Sequence, residues 1–284
     1  MKKISYALAT AAAITVSGPA SAIVVGGIDF GALGNTMHIE TATLAETFVK
    51  AAGNTLEGYG LVSTVNGSSS YCAVGSCSLY YHFYNYTASV FSSSGVQFTG
   101  GVVDLYLGSG SAINMLSQDS IANIALIAGM SKWARLDGHT FSDPFFNSIH
   151  PSGFNATQTL NGYGSLTGAS LTEYGAGQLD VNTSNTFGLA PVAAYLNGNS
   201  ISDNLGGFAD IVLTSSSNNS FLNPFDITNN LANGCLNGNA SAGAWCLQGT
   251  MNTRGATVVP EPTTLALAGL ALVGAGLARR RSRK

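Results

Sequence analysis

The sequence predicts an all-β fold, a β-sandwich or jelly-roll-like domain with one short helix. Runs rich in β-branched and aromatic residues alternate in polarity with a period of two, and Gly, Asn and Ser interrupt them about every ten residues. Charged residues make up only 9% of the chain. Hydroxyl and amide side chains must therefore solvate most of the surface, which is typical of a strand-rich exported domain.

Four segments carry the strand pattern most clearly. They are residues 58–67, 79–91, 95–108 and 207–219. The third contains a break at Gly100-Gly101, and the first closes on an Asn-Gly turn. Alternation buries one face of each strand, but exposed aromatic side chains on the other face could stack on sugar rings. The candidates for such stacking are Tyr80, Tyr81, Tyr84, Tyr86, Trp133 and Trp245.

One short helix is predicted at residues 43–52. Thr43 and Glu46 have the spacing of a capping box, Glu46 and Lys50 form an i,i+4 pair, and Gly53 follows as a stop. Between residues 120 and 136 the apolar pattern fits either a helix or a buried strand, and periodicity does not decide between them. Residues 137–155 have turn chemistry throughout and predict a long structured loop.

This loop holds a weak candidate metal site. Asp137, His139, Asp143 and His150 lie within 14 residues, and their carboxylates and imidazoles are metal ligands. Their spacing matches no defined motif, and the Asp-Gly and Asp-Pro steps explain both aspartates as turn formers. Calcium bound by Asp and Asn oxygens elsewhere stays open, although no EF-hand pattern is present. We therefore assign no cofactor from the sequence.

Four cysteines lie in the body of the chain, namely Cys72, Cys77, Cys235 and Cys246. An even number in an exported protein indicates disulfides. Three connectivities exist, and we favour the two local pairs, Cys72 with Cys77 and Cys235 with Cys246. A zinc site made of all four thiolates is the alternative, but neither pair has the C-x2-C spacing.

Motifs of known enzymes are not found in the chain. The sequence has no G-x-S-x-G elbow, no H-E-x-x-H and no phosphate-binding loop. A pair of carboxylates for glycoside hydrolysis could still meet in the fold. We expect a protein that is not an enzyme, with a carbohydrate-binding module as the alternative and a polysaccharide hydrolase behind it.

The N-terminus predicts export. Residues 1–22 combine a positive start at Lys2 and Lys3, an apolar segment at 4–16 and a small-residue box ending in Ala20 and Ala22. These are the three parts of a secretory signal peptide, cleaved after Ala22. The secreted β-rich domain then spans residues 23–257.

Charge excludes one class of partner. Seven of the 11 basic residues lie in the two terminal segments, so four basic and 13 acidic residues remain in the body, a net charge of −9. Nucleic acids need clusters of Lys and Arg to neutralise phosphate, and the body has none.

The C-terminal segment 258–284 has three ordered parts. Pro260-Glu261-Pro262 cannot form regular helix or sheet. The apolar run 263–278 predicts a helix of 16 residues, short of the ~20 that cross a bilayer. The basic tail 279–284 resists translocation, so the helix would pause in the inner membrane with the tripeptide accessible outside. The tail begins with Arg279, Arg280 and Arg281.

This order of parts resembles the PEP-CTERM sorting signal of Gram-negative bacteria; an ordinary C-terminal anchor behind a Pro-rich hinge is the alternative. The resemblance implies processing by an exosortase at Pro260, Glu261 and Pro262, after Sec export, and release to the cell surface or extracellular matrix. The segments "TLEGYGLVSTVNG", "GVVDLYLGSGS" and "GGFADIVLTSSSNN" are similar to PEP-CTERM proteins linked to flocculation. That similarity implies a biofilm protein whose partner is extracellular polysaccharide.

Overall fold

A computed structural model describes residues 22–31, 36–115, 118–150, 152–184, 187–219 and 234–258 of the chain. The signal peptide before Ala22 and the sorting segment after Val258 lie outside the described residues. So do Ala20, the Pro-Glu-Pro tripeptide, the apolar run and the basic tail.

The described residues form nine main strands, two small hairpins and three helices. The main strands are β3 (Thr36–Thr47), β4 (Thr55–Val65), β5 (Cys77–Phe91), β6 (Gly95–Ser109), β7 (Ser131–His139), β8 (Leu160–Ser165), β9 (Thr172–Val181), β12 (Ile211–Asn218) and β13 (Trp245–Ala256). The hairpins are β1 (Val24–Val25) with β2 (Ile28–Asp29), and β10 (Ile201–Ser202) with β11 (Phe208–Ala209). The helices are α1 (Ser120–Ala128), α2 (Pro144–Ile149) and α3 (Ala190–Leu196).

The main sheet closes into a barrel of eight positions. Antiparallel pairing runs in the order β12, β13, β3, β4, β5, β6, β7, β9, and β9 pairs again with β12. Strands β7 and β8 share one position end to end, because each pairs with β6 on one side and with β9 on the other. The prediction of a strand-rich fold is confirmed, but the sandwich or jelly roll is wrong because closure leaves one continuous sheet instead of two packed ones.

An eight-stranded barrel is just wide enough for side chains to fill its interior. The inward positions hold large apolar groups such as Tyr81, Phe83, Phe98 and Leu179, all buried in one core cluster. Helix α3 and the β1–β2 hairpin continue this core over one end, where Phe30 packs against Trp133 and Tyr195. A second cluster lies outside the barrel, where α1 covers Tyr59, Tyr80 and Tyr106.

The helix predicted at residues 43–52 is wrong. Residues up to Thr47 belong to β3, which pairs with β4 on one side and with β13 on the other. These two ladders satisfy the backbone groups that a helix would pair locally, and they place Glu46 inside the barrel rather than beside Lys50.

The ambiguous stretch 120–136 contains both of the predicted structures in succession. It forms α1, which begins after the Asp119 cap, and then turns at Gly129 into β7. The predicted loop 137–155 is partly regular, because its first three residues end β7 and its centre forms α2.

Candidate functional site

Both disulfides have the pairing that the sequence favours. Cys72 is bonded to Cys77 in the loop before β5, and Cys235 is bonded to Cys246 at the start of β13. All four thiols are therefore used in disulfides, which removes the thiolates that the alternative zinc site would need.

Asp143 is a helix cap. Its carboxylate accepts hydrogen bonds from the backbone N–H groups of Phe145 and Phe146 at the start of α2, at 3.0 and 3.1 Å. The other oxygen accepts from Nδ2 of Asn161 on β8, at 2.8 Å. The side chain thus ties α2 to the outer surface of β8, as expected of an Asp before Pro.

The other three candidate metal ligands each contact different residues. His139 lies between Asp180 and Asp203, with Nδ1 2.7 Å from Asp180 Oδ2 and Nε2 3.4 Å from Asp203 Oδ2. Burial disfavours the charged ring, but the hydrogen bonds and charges of the two aspartates outweigh it and raise the pKa of His139. Asp137 accepts from Asn182 instead.

His150 packs between the rings of Phe146 and Phe154, with centroids 4.6 and 4.8 Å away. Across the described ranges, no three side chains of His, Cys, Asp or Glu come together in a way that could hold a metal ion. Two of the four candidates contact α2, since Asp143 caps its start and His150 packs on Phe146 at its end.

The aromatic residues predicted to stack on sugars are mostly core residues. Five are buried: Tyr80, Tyr81, Tyr86, Trp133 and Trp245. Tyr84 is partly exposed, but its hydroxyl donates to Asp104 at 3.0 Å and accepts from Arg135 at 3.1 Å. These side chains are therefore not a platform for a ligand.

A different set of rings lies exposed on the outer surface. Phe145 on α2, Tyr163 on β8 and Tyr174 on β9 stand side by side, with ring centroids 5.6 and 5.7 Å apart. Phe145 is 57% exposed and Tyr174 51% exposed. We call these three residues the aromatic row. Large exposed apolar groups that stand together on a soluble domain mark binding surfaces.

The geometry of the row follows from the local sequence. Tyr163 and Tyr174 are direct partners across the β8–β9 ladder, so both point to the same side of the sheet. The Asp143 cap holds the first turn of α2 against β8, which brings Phe145 beside Tyr163. Sequence reasoning missed this surface, because alternation along β8 does not show which face is outward. In the structure a methyl group at Gly162 would meet Glu173, so the glycine faces inward and Tyr163 faces outward.

Two carboxylates, the buried Glu46 and the partly exposed Glu173, point into the barrel. Glu46 is 5% exposed, and with Glu173 it lines a cavity of about 20 Å³, room for about one water molecule. Burial raises the pKa of Glu46 to about 8, the charge of Glu173 adds to this, and a hydrogen bond from Ser217 opposes it. Burial likewise raises the pKa of Glu173 to about 7.

The chain leaves the barrel at the end that α3 covers. Strand β13 ends at Ala256, and the backbone N–H of Val258 donates to the carbonyl of Tyr195 on α3, at 2.8 Å. The C-terminal segment therefore starts directly at the rim, two residues after the last strand.

A family model described as the PEP-CTERM protein-sorting motif matches residues 258–283. The chain carries a PEP-CTERM sorting motif. The predicted tripeptide and the three predicted arginines lie within the matched range. Proteins with this motif are exported to the cell surface or extracellular space, and the motif is the recognition signal of exosortase. The PEP-CTERM chain is accordingly an exosortase-processed extracellular protein.

No curated protein and no solved structure matches the chain. Within the part of the chain that the structure describes, no helix has both the length and the apolar character needed to span a bilayer.

Proposed function

We propose that this PEP-CTERM protein is a non-catalytic component of the cell surface or extracellular matrix that binds exopolysaccharide and promotes cell aggregation. In this proposal a Gram-negative cell exports the chain through Sec, the C-terminal helix pauses in the inner membrane, and exosortase then processes it. The barrel that remains links the polymer to the cell or to other matrix proteins, as in flocs and biofilms.

The aromatic row is the observation that supports direct contact with the polymer. One face of a sugar ring presents C–H groups that pack well against an aromatic ring, and a tyrosine adds a hydroxyl for hydrogen bonding. Phe145 and Tyr174 are half exposed although each could be buried with a gain of free energy. A binding surface explains why they stay in water.

The position of the carboxylate pair supports binding over hydrolysis. A glycoside hydrolase places its two carboxylates on either side of the scissile bond in a cleft that the chain of sugars can enter. Glu46 and Glu173 instead line a cavity with room for about one water molecule inside the barrel.

The test is complementation of a strain that lacks the gene. The double variant Tyr163→Ala/Tyr174→Ala should be exported but fail to restore aggregation, while polysaccharide is still made and shed. The matched control is Phe208→Ala, which removes a ring that is 57% exposed on β11, outside the row. Full aggregation with the double variant, or equal loss with the control, contradicts a role for the aromatic row.

A further inference from the structure

The surface beside the aromatic row carries no charged side chain along one register of the sheet. Tyr163 pairs with Tyr174, Tyr174 with Ser216, and Ser216 with Thr250. These four residues form a straight line across β8, β9, β12 and β13. With strands about 4.8 Å apart, the line is about 14 Å long.

The next register towards the Trp245 end of β13 has the same character. Ser165 pairs with Thr172, Thr172 with Asn218, and Asn218 with Gln248. All four side chains are at least partly exposed. We call the two registers together the uncharged wall.

These side chains point outward because their neighbours point inward. Gly175 and Ser215 alternate with the residues of the wall and line the same internal cavity as Glu46. Charges lie at two corners of the wall. At one, Asp143 accepts from Asn161, two residues before Tyr163 on β8. At the other, Glu40 pairs with Asn252, and Arg254 follows two residues later on β13.

The opposite wall of the barrel is charged. On β4 and β5, Glu57 Oε1 lies 2.8 Å from His82 Nε2. On β6 and β7, Asp104 Oδ1 lies 2.6 Å from Arg135 Nε. Further ion pairs join His139 to Asp180 across β7 and β9 and His38 to Glu40 on β3. The two registers themselves carry aromatic, hydroxyl and amide side chains only.

We propose that the ligand of the uncharged wall is a neutral polysaccharide; this rests on the proposed function of the aromatic row. Its sugar rings pack on Tyr163 and Tyr174, and its hydroxyls exchange hydrogen bonds with Ser216, Thr250 and their neighbours. Such groups satisfy the donors and acceptors of an uncharged polymer. A uronic-acid or sulfated polymer would lose water from its anions without meeting a cation, and the acidic body would repel it.

The experiment uses the exported protein and the exopolysaccharide of the producing cells. Anion exchange separates this polymer into an uncharged fraction and an anionic fraction, and affinity electrophoresis measures binding to each at low and high salt, with and without calcium. We expect binding to the uncharged fraction, little dependence on salt, and a loss of roughly tenfold or more in affinity for Tyr174→Ala, equivalent to about 1.4 kcal/mol.

The variants Ser216→Lys and Ser216→Asp distinguish a neutral ligand from an anionic one. Both variants alter an outward position between the tyrosine and Thr250, so a neutral polymer should bind both more weakly. An anionic polymer should bind Ser216→Lys more tightly and Ser216→Asp more weakly, with affinity falling as salt rises. Tighter binding by Ser216→Lys, or binding to the anionic fraction only with calcium, contradicts the proposal of a neutral ligand. Neither outcome contradicts the proposed function. Binding to neither fraction, or binding that Tyr174→Ala does not change, overturns both.

Discussion

The carboxylate pair inside the barrel makes stability depend on pH. The folded protein keeps the Glu46 proton up to a pKa of about 8, whereas the unfolded chain releases it near the ordinary value of 4.5. Between these values the unfolded state binds fewer protons, so rising pH favours unfolding. Glu173, with its pKa raised to about 7, acts in the same direction.

The size of the effect follows from the pKa of Glu46. A difference of about 3.5 between the folded and unfolded values corresponds to about 5 kcal/mol, at about 1.4 kcal/mol for each pH unit. The destabilisation is absent below pH 4.5, grows through neutral pH and is complete above pH 8. Glu46→Gln keeps the shape of the side chain and removes the charge, so it should remove most of this loss.

Urea unfolding followed by the fluorescence of the buried Trp133 and Trp245 measures the free energy of unfolding across this range. At pH 4.5 we expect wild type and Glu46→Gln to agree to within about 1 kcal/mol, the usual scale of a lost hydrogen bond. At pH 9 the variant should be more stable by up to about 5 kcal/mol. Glu173→Gln should show the same sign with a smaller gain. If the free energy of unfolding depends on pH in the same way for Glu46→Gln and wild type, ionisation of Glu46 does not destabilise the fold and the reasoning is refuted.

Two further predictions concern stability. Arg135→Leu leaves the Asp104 carboxylate, 3% exposed, without its cation, so the free energy of unfolding should fall by about 3–5 kcal/mol, and an unchanged urea midpoint contradicts this. Gly101→Ala puts a methyl group where the ring of Tyr86 lies, at a φ of +100°. The free energy of unfolding should fall by about 1–3 kcal/mol, which thermal unfolding measures. A melting temperature equal to that of wild type contradicts this.

Features set by neighbouring residues were predictable from the sequence. Alternation located β4, β5 and β6 to within a few residues, because each strand has a buried face throughout its length. The pairing of Cys235 with Cys246 followed from their short separation in an exported chain. Both inferences use information that lies within about 15 residues.

The helix prediction failed because its signals were also local. Thr43, Glu46 and Lys50 have the spacing of a helix start, but helix propensity is worth only tenths of a kcal/mol for each residue. The alternative supplies β3 with a partner strand on both sides. A preference of that size does not compete with two long ladders of backbone hydrogen bonds and a filled barrel interior.

Closure of the barrel could not be inferred from the pattern. A sandwich and a barrel show the same alternation of buried and exposed residues, and they differ only in which strands meet. Here the first and last strands of the barrel pair, and the backbone N–H of Met251 donates to the hydroxyl of Thr41, 210 residues away. Nothing in either segment alone specifies the other as its partner.

A single residue decided which tyrosines face the solvent. Simple alternation puts Tyr84 and Tyr86 on the same face of β5. Asn85 has a φ of +61°, and the ring of Tyr86 is buried in the interior core cluster, while Tyr84 stays on the outer surface. Asn tolerates this left-handed conformation better than most residues, but the sequence does not show when it adopts it.

The start of the sorting segment and the aromatic row lie at separate places on the barrel. Strand β13 ends at Ala256, before the Pro-Glu-Pro tripeptide, so processing there, as the sequence predicts, would remove no residue of the barrel. Thr250, at the end of the uncharged wall, lies six residues before Ala256, a distance of about 20 Å along an extended strand. In the proposed function the α3 end of the barrel faces the membrane before processing, and the aromatic row lies on the side wall. In that proposal polymer binds before or after processing, so the two functions can be tested by separate substitutions.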